Sequence, residues 1–373
     1  MIAASASPIR KDWVNIVFLT LSPVLAVPVL AWHTFHTGFH WWMPSLTAGL
    51  YILVGLSICA GYHRYFSHRS YECSRWVQLF YAIFGAMAAQ NSILRWSAGH
   101  RRHHAYPEQE WDPYSIRRGF WWAHIVWIFH IDHYANRLDN VRDLQKNPVV
   151  MWQHRWYKVL LLAGGLGLPT LIGALFGNAL AGLLWGGFLR IVLVHHSTFF
   201  VNSIAHQFGT PSYDEKSSAR DNWAVALLTF GEGYHSFHHR FPGDFRNGIS
   251  WYAWDPAKWF IRGLKWLGLA KALNATPEPV IEQARIKVTA RHVEARIAKA
   301  DPSLKAQLAQ RMATARANLE AAVHLWSEQA ELRRQGLSKQ WRTTYRSYRA
   351  RLKQARKEWR WILRTVNQLA PRP

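Results

Sequence analysis

Cysteine is nearly absent: 373 residues hold two, Cys59 inside an apolar run and Cys73 beside a histidine cluster. Two thiols cannot build a disulfide framework and point instead to a reducing compartment. Acid is also scarce, with 22 Asp and Glu against 45 Lys and Arg, a formal charge of +23. Such a balance suits nucleic acid or an anionic membrane leaflet. Long charge-free apolar runs select the leaflet, and no nucleic-acid partner is expected. A cleavage signal is missing too: Arg10 and Lys11 precede the first apolar run, but no small-residue site follows a short core. That run is expected to remain as an uncleaved first span. Half of the residues are hydrophobic and 22 are tryptophan. The mean hydropathy of −0.15 therefore averages an apolar front with a charged tail.

Trp13 to Trp32 carries no charge and is long enough to cross a hydrocarbon core, and Trp41 to about Gly61 is a second such run. Two more, from about Tyr157 to Phe176 and from Ala179 to Val194, meet at Gly177-Asn178 and read as a helical hairpin. Arg190 lies inside the fourth run, where a charge is expensive, and nothing in the pattern names its partner. Trp76–Trp96 is weakened by Gln78, Gln90, Asn91 and Arg95, and reads as an interfacial or re-entrant helix roofing an apolar cavity. Phe120 to Phe129 is too short to span. Arg10 and Lys11 before the first span, and Arg64, Arg69, Arg75, Arg101 and Arg102 after the second, place both termini and the intervening polar segments on the cytoplasmic side.

Histidine is plentiful, 20 residues, and eight fall in three short boxes. His235, His238 and His239 follow Glu232 at spacing i, i+3, i+4, and His100, His103 and His104 repeat it, so that each triplet shares one helix face. His63 and His68 are five apart, which separates them on a regular helix, and the end of the second span is expected to fray or turn there. Neutral imidazole is a common nitrogen ligand, and three boxes supply nitrogen enough for two ions. The Glu-x-x-His pattern of soluble di-iron bundles is not present. Ligand softness leaves iron and zinc both open; an apolar membrane site suits an unactivated hydrocarbon and favours redox iron over zinc hydrolysis. His33, His36 and His40 fall between the first two spans, away from the boxes. His124, His130, His133, His154, His195 and His196 are also left outside the ligand set. Glu232, Asp112 and Asp221 are candidates to hold the ligands in place, because a ligating histidine donates its second N–H to a carboxylate or carbonyl; capping or a salt bridge is their alternative role.

Past residue 280 the sequence becomes charged and alanine-rich. Leu308, Met312, Ala315, Leu319, Ala322 and Trp326, then Trp341, Tyr345, Tyr348, Leu352, Ala355, Trp359 and Ile362, follow a seam spacing on either side of Gly336. This predicts an antiparallel helical hairpin. Between Ser338 and Val366 stand ten Lys or Arg and one acid, Glu358, which reads as a solvated face or as a contact with anionic lipid or an acidic protein.

The set HRYFSH, HRRHH, NSIAH and EGYHSFHH, in this order and split by a two-span gap, resembles the membrane fatty-acid desaturases, most closely the acyl-CoA Δ9 (stearoyl-CoA type) branch, over roughly residues 40 to 270. The resemblance implies an all-α polytopic membrane protein: four transmembrane helices, a cytoplasmic helical cap bearing a di-iron site, and a C-terminal extension. The corresponding divisions are residues 1–12, 13–279 and 280–373. It implies that His63, His68, His100, His103, His104, His206, His235, His238 and His239 ligate two iron ions, with Asn202 acting through a water. Gln90 and Trp96 would line the bend of an acyl tunnel. Dioxygen is the implied co-substrate, and a separate donor such as a ferredoxin or a cytochrome would supply two electrons, since no His-Pro-Gly-Gly haem signature occurs. Where that branch carries an Arg-Asp pair contacting its carrier, this chain has Ala98-Gly99. A phospholipid or carrier-protein ester therefore stands beside acyl-CoA as substrate. Hydroxylation of the same chain, and metal binding without catalysis, are the competing readings.

Overall fold

In a computed structural model, residues 10–132, 134, 136–297, 301–336 and 338–369 are described. His133 lies outside them. They form two units, 1–210 with 217–275, and 211–216 with 276–373.

The first unit contains four helices long and apolar enough to cross a membrane: α1 (Trp13–Thr37), α2 (Trp42–Ser67), α5 (Pro148–Leu175) and α6 (Ala179–Gln207). Each exceeds the roughly 20 residues that a hydrocarbon core requires. Between α2 and α5 lie α3 (Arg75–Ala86) and α4 (Ile93–Ala105), parted by an irregular turn at residues 87–92, so the apolar segment around Trp76–Trp96 does not span. Phe120–Phe129 breaks into two short helical turns. Strand β1 (Glu72–Cys73) pairs antiparallel with β2 (Ala270–Lys271), Glu72 opposite Lys271. That ladder ties the end of the first box to the segment following α8 (Pro256–Trp266).

Two spans run further than their apolar stretches. α5 begins at Pro148, with Asn147 capping it through its side chain to the N–H groups of Val149 and Val150. α6 continues past Val194 to carry Asn202 and His206. The fraying expected at the first box does not occur: Ser57–Ser67 winds as a π-helix, and His68 N–H donates to His63 C=O at 3.1 Å. A bond from i to i+5 makes five residues about one turn, so the wider winding brings together two histidines that an α-helix would separate.

Arg190 has partners after all. Its guanidinium donates to the carbonyls of Gly165 (2.7 Å), Gly186 (3.2 Å) and Met87, and is fully buried. Gly165 lies in a π-helical stretch of α5, Leu161–Gly167, and Met87 closes α3. Irregular backbone at membrane depth needs its carbonyls satisfied by protein, and the arginine does this for three elements at once.

Helices α5 and α6 meet through glycine. A Cβ on Gly182 would lie 2.2 Å from Pro169 O and 2.7 Å from Gly173 Cα, and both are backbone atoms that cannot swing away. Small residues allow such close approach, which supplies the packing between helices in lipid. Gly182→Ala is expected to destabilise the first unit by about 1–3 kcal/mol, seen as a lower half-inactivation temperature in detergent. Gly49→Ala, whose Cβ meets nothing within 4 Å, should leave that temperature unchanged.

The second unit contains α9 (Glu278–Ile297), α10 (Pro302–Arg334) and α11 (Ser338–Leu369). The expected hairpin is α10 and α11, turning at Gly336 with φ 74°. Leu308, Met312, Ala315, Leu319 and Ala322 pack with Tyr348, Leu352, Ala355, Trp359 and Ile362 in one apolar core. The third helix is the addition: Ile286, Ala290 and Val293 of α9 enter the same core, turning a hairpin into a three-helix unit.

Candidate metal centre

Four segments bring nine histidines together. The π-helical end of α2 presents His63 and His68, α4 presents His100, His103 and His104, the end of α6 presents His206, and α7 (His235–Arg240) presents His235, His238 and His239. They sort into two groups whose nitrogens lie within 4.8 Å of one another: His63, His68, His100, His104 and His238 in one, His103, His206, His235 and His239 in the other. Each triplet divides in the same way. Its i, i+4 pair goes to one group and its i+3 member to the other, so α4 and α7 contribute to both groups with exchanged roles.

Within the groups the Nε2 atoms converge. His63–His238, His68–His100 and His104–His238 stand 3.0, 2.8 and 2.9 Å apart; His206–His235, His235–His239 and His103–His239 stand 3.0, 3.0 and 3.2 Å apart. Burial, and after it the neighbouring imidazoles, pushes His68, His100, His104, His235, His238 and His239 well below the usual histidine pKa, so these rings are neutral. His63 Nδ1 lies 2.7 Å from Glu232 Oε2, and His103 Nδ1 lies 2.9 Å from Asp112 Oδ1. In both rings Nδ1 is the nitrogen next to the carboxylate and Nε2 the one that faces another imidazole. Ring nitrogens converging in this way suit a metal cation. The nitrogens of each group lie close enough together for one ion, and the residues fit a pair of metal ions.

The carboxylates are themselves held. Burial raises the Asp112 carboxyl, but His103 and the Glu108 N–H outweigh it and keep it below its ordinary value. Burial likewise raises Glu232, which Arg64 and His63 bring down. Glu232 accepts from Arg64 Nη2 (2.9 Å) and Asn247 Nδ2 (2.7 Å), and Arg64 also pairs with the fully buried Asp255 at 2.9 Å. His206 Nδ1 meets Ser218 Oγ at 2.7 Å, and His100 Nδ1 meets the Tyr114 hydroxyl at 3.2 Å. Asp221 accepts the N–H groups of Ser236 and Phe237 at the start of α7, a capping position. The sequence does not reveal the parts that Arg64, Asp255, Ser218 and Tyr114 play at the site. In the sequence Arg64 reads only as one of the cations that follow the second span.

A cavity of about 540 Å³ opens beneath the histidines, lined by α1, α2, α4 and α6. His63, His100, His103 and His235 are at its wall, and Asn202 lines it outside both histidine groups. Trp96 stacks on His100 with centroids 5.0 Å apart and donates Nε1–H to Gln90 Oε1 at 3.3 Å; Gln90 Nε2 donates to Thr198 Oγ1 at 2.9 Å. Thr198 is the third member of that lining, unmarked in the sequence. His195 is bonded to Ala88 C=O and His196 to His124, and His33 and His36 bond within α1; none belongs to either group.

Asp112→Asn keeps the shape of the residue and removes its charge. It is expected to weaken metal binding by about 10–100-fold, measured by chelator competition on purified protein, while thermal stability before metal loading changes little by comparison.

The fatty acid desaturase family profile matches residues 39–266. The chain is 38% identical over 294 residues to Acyl-CoA desaturase 1 of Saccharomyces cerevisiae, covering 77% of this chain and 56% of that protein. It is 37% identical over 271 residues to the sn-2 palmitoyl-lipid 9-desaturase of a Nostoc species, covering 71% of this chain and 91% of the relative. To human Stearoyl-CoA desaturase 5 it is 37% identical over 248 residues, 64% of this chain and 74% of that one. Of the two yeast relatives, the Saccharomyces and Schizosaccharomyces proteins, the chain spans 56% and 50% of the length. The two histidine groups, the apolar cavity beneath them and the profile over most of the membrane unit lead to one conclusion: the chain belongs to the fatty acid desaturase family.

Proposed function

We propose that this protein is an oxygen-dependent desaturase that places a cis double bond, at Δ9, in a saturated fatty-acyl chain. The observation that carries the reading is the placement of nine imidazoles, six buried and three half-buried, in two converging groups beside a cavity lined by membrane helices. A relative named Acyl-CoA desaturase 1 supports the reaction, and one named sn-2 palmitoyl-lipid 9-desaturase supports its position as well. Two iron ions bound there supply the activation of dioxygen for removal of two hydrogens from adjacent methylenes. Over the cycle, one O2, two electrons, two protons and those two hydrogens leave as two waters.

The chain's own residues do the positioning. His63 and His103 are fixed by Glu232 and Asp112, which sets the nitrogen each presents. Trp96, Gln90 and Thr198 form a rigid wall next to His100, against which an acyl chain bends with two of its carbons facing the histidines. The apolar part of the lining, with Phe18, Leu19, Ile58 and Val194, holds the substrate by burial. The excess of Lys and Arg in segments flanking α1 and α2 supports a cytoplasmic site and cytoplasmic termini. The electrons come from a separate donor, a ferredoxin or a cytochrome. Ala98-Gly99 supports a lipid or carrier-protein ester as the acyl handle beside acyl-CoA.

Fatty-acid profiles by mass spectrometry of cells making the intact protein, and of cells making His103→Ala, test the reaction. A new monounsaturated acid should appear with the intact protein alone; a hydroxylated chain in its place would overturn the assignment. Bound iron tests the two groups separately. His68→Ala with His104→Ala, and His206→Ala with His239→Ala, should each about halve the iron per chain and abolish the product while the protein still inserts.

A further inference from the structure

The cations of α11 divide into two sets. Arg349 and Arg356 pair with Glu278, and Arg356 with Glu282 as well, while Glu358 of α11 is buried against Arg311 of α10 at 2.7 Å. Arg316 takes Glu294, and Arg291 takes Glu215. Those pairs consume much of the unit's acid. Arg342, Arg346, Lys353, Lys357, Arg360 and Arg364 are all exposed and have no acidic partner among the described residues. At 3.6 residues per turn, the six fall within about 60° of one another around the helix and run for about 33 Å along it. The seam of Tyr348, Leu352, Ala355, Trp359, Ile362 and Val366 occupies the opposite face, buried in the unit's core.

We propose that this stripe of α11 lies on an anionic lipid surface, held by charge alone. The argument rests on three features. The apolar seam from Tyr348 to Val366 is already used inside the unit, leaving Tyr345 as the exposed large apolar residue of α11; what remains is a straight row of cations, which matches a plane of phosphate headgroups. The unit follows directly in sequence on one that carries four membrane-spanning helices, so a leaflet is always within reach at high effective concentration. The stripe is also unbroken by acid, whereas α10, with Glu320, Glu328 and Glu331, mixes both signs. The proposal needs membrane insertion only, and stands or falls separately from the desaturation reading.

The test uses the full chain in lipid nanodiscs of phosphatidylcholine alone or of an equal mixture with phosphatidylglycerol, with hydrogen exchange read over residues 338–369. In the anionic discs exchange should slow by about tenfold or more relative to the zwitterionic discs, and the difference should vanish at molar salt. The triple variant Arg346→Gln, Lys353→Gln, Arg360→Gln should lose that protection, while its exchange in phosphatidylcholine matches the parent and shows that the bundle is intact. Equal exchange in the two kinds of disc would overturn the proposal. So would protection in phosphatidylcholine discs by an added oligonucleotide or an acidic ferredoxin without any response to phosphatidylglycerol.

Discussion

Nine imidazoles converge in two groups, their paired ring nitrogens 2.8–3.2 Å apart in a largely buried space, where polar atoms withdrawn from water must find partners within the group. The rest of the first unit can be understood as the structure needed to maintain that arrangement. No single helix could do so. α4 and α7 each present a triplet on one face, and the division of each triplet between the two groups sets the groups side by side. The ends of α2 and α6 then complete them, one with two residues and the other with one. An uncharged ligand set does not neutralise what it holds. Asp112 and Glu232, both kept ionised despite burial, are therefore the anions that balance the site.

Glu232 is held ionised at a distance from solvent by a second layer. Arg64 bridges it to Asp255, and Asp255 accepts the N–H groups of Asn247 and Gly248 and caps α8 through Lys258 N–H. Removing one partner from such a buried network leaves an uncompensated charge, which costs far more than the net worth of the pair. The same network joins the end of α2 to the loop before α7 and to α8, so the charge that balances the site also fixes the elements that build it. Arg190 does comparable work at membrane depth without an anion, using carbonyls of irregular turns.

What could be read from the sequence was local. The triplets follow helical spacing, the spans follow length and lack of charge, and the seams of the C-terminal unit follow a periodic pattern; each is a property of neighbours along the chain. The first box shows where such reading stops. A spacing of five implies separation only if the winding is α, and the packing that accompanies π winding comes from afar: Gly61 lies against the Tyr81 ring and Gly85 against Tyr62, too close for any Cβ. The roles of Arg64, Asp255, Ser218 and Thr198 at the site are hidden for the same reason. Their partners are 168, 191, 12 and 108 residues away. α9 was missed as part of the C-terminal core because Ile286, Ala290 and Val293 sit in a helix too charged to display a seam of its own.

The π winding at the end of α2 also has a consequence for how the membrane and the site are joined. In an α-helix, residues five apart point in directions about 140° different, and His68 would turn away from His63. Unwinding the end would bring His68 back but would expose backbone carbonyls at the boundary of the hydrocarbon. The π turn avoids both costs: His68 N–H still satisfies His63 C=O, Ser67 Oγ caps Tyr62 C=O at 2.7 Å, and Ser70 N–H satisfies Arg64 C=O at 2.9 Å. One continuous element thus passes from the apolar lining of the cavity to two ring nitrogens of the site. Its position along the cavity wall and the direction of those nitrogens are therefore set together, and a change to one would be transmitted to the other.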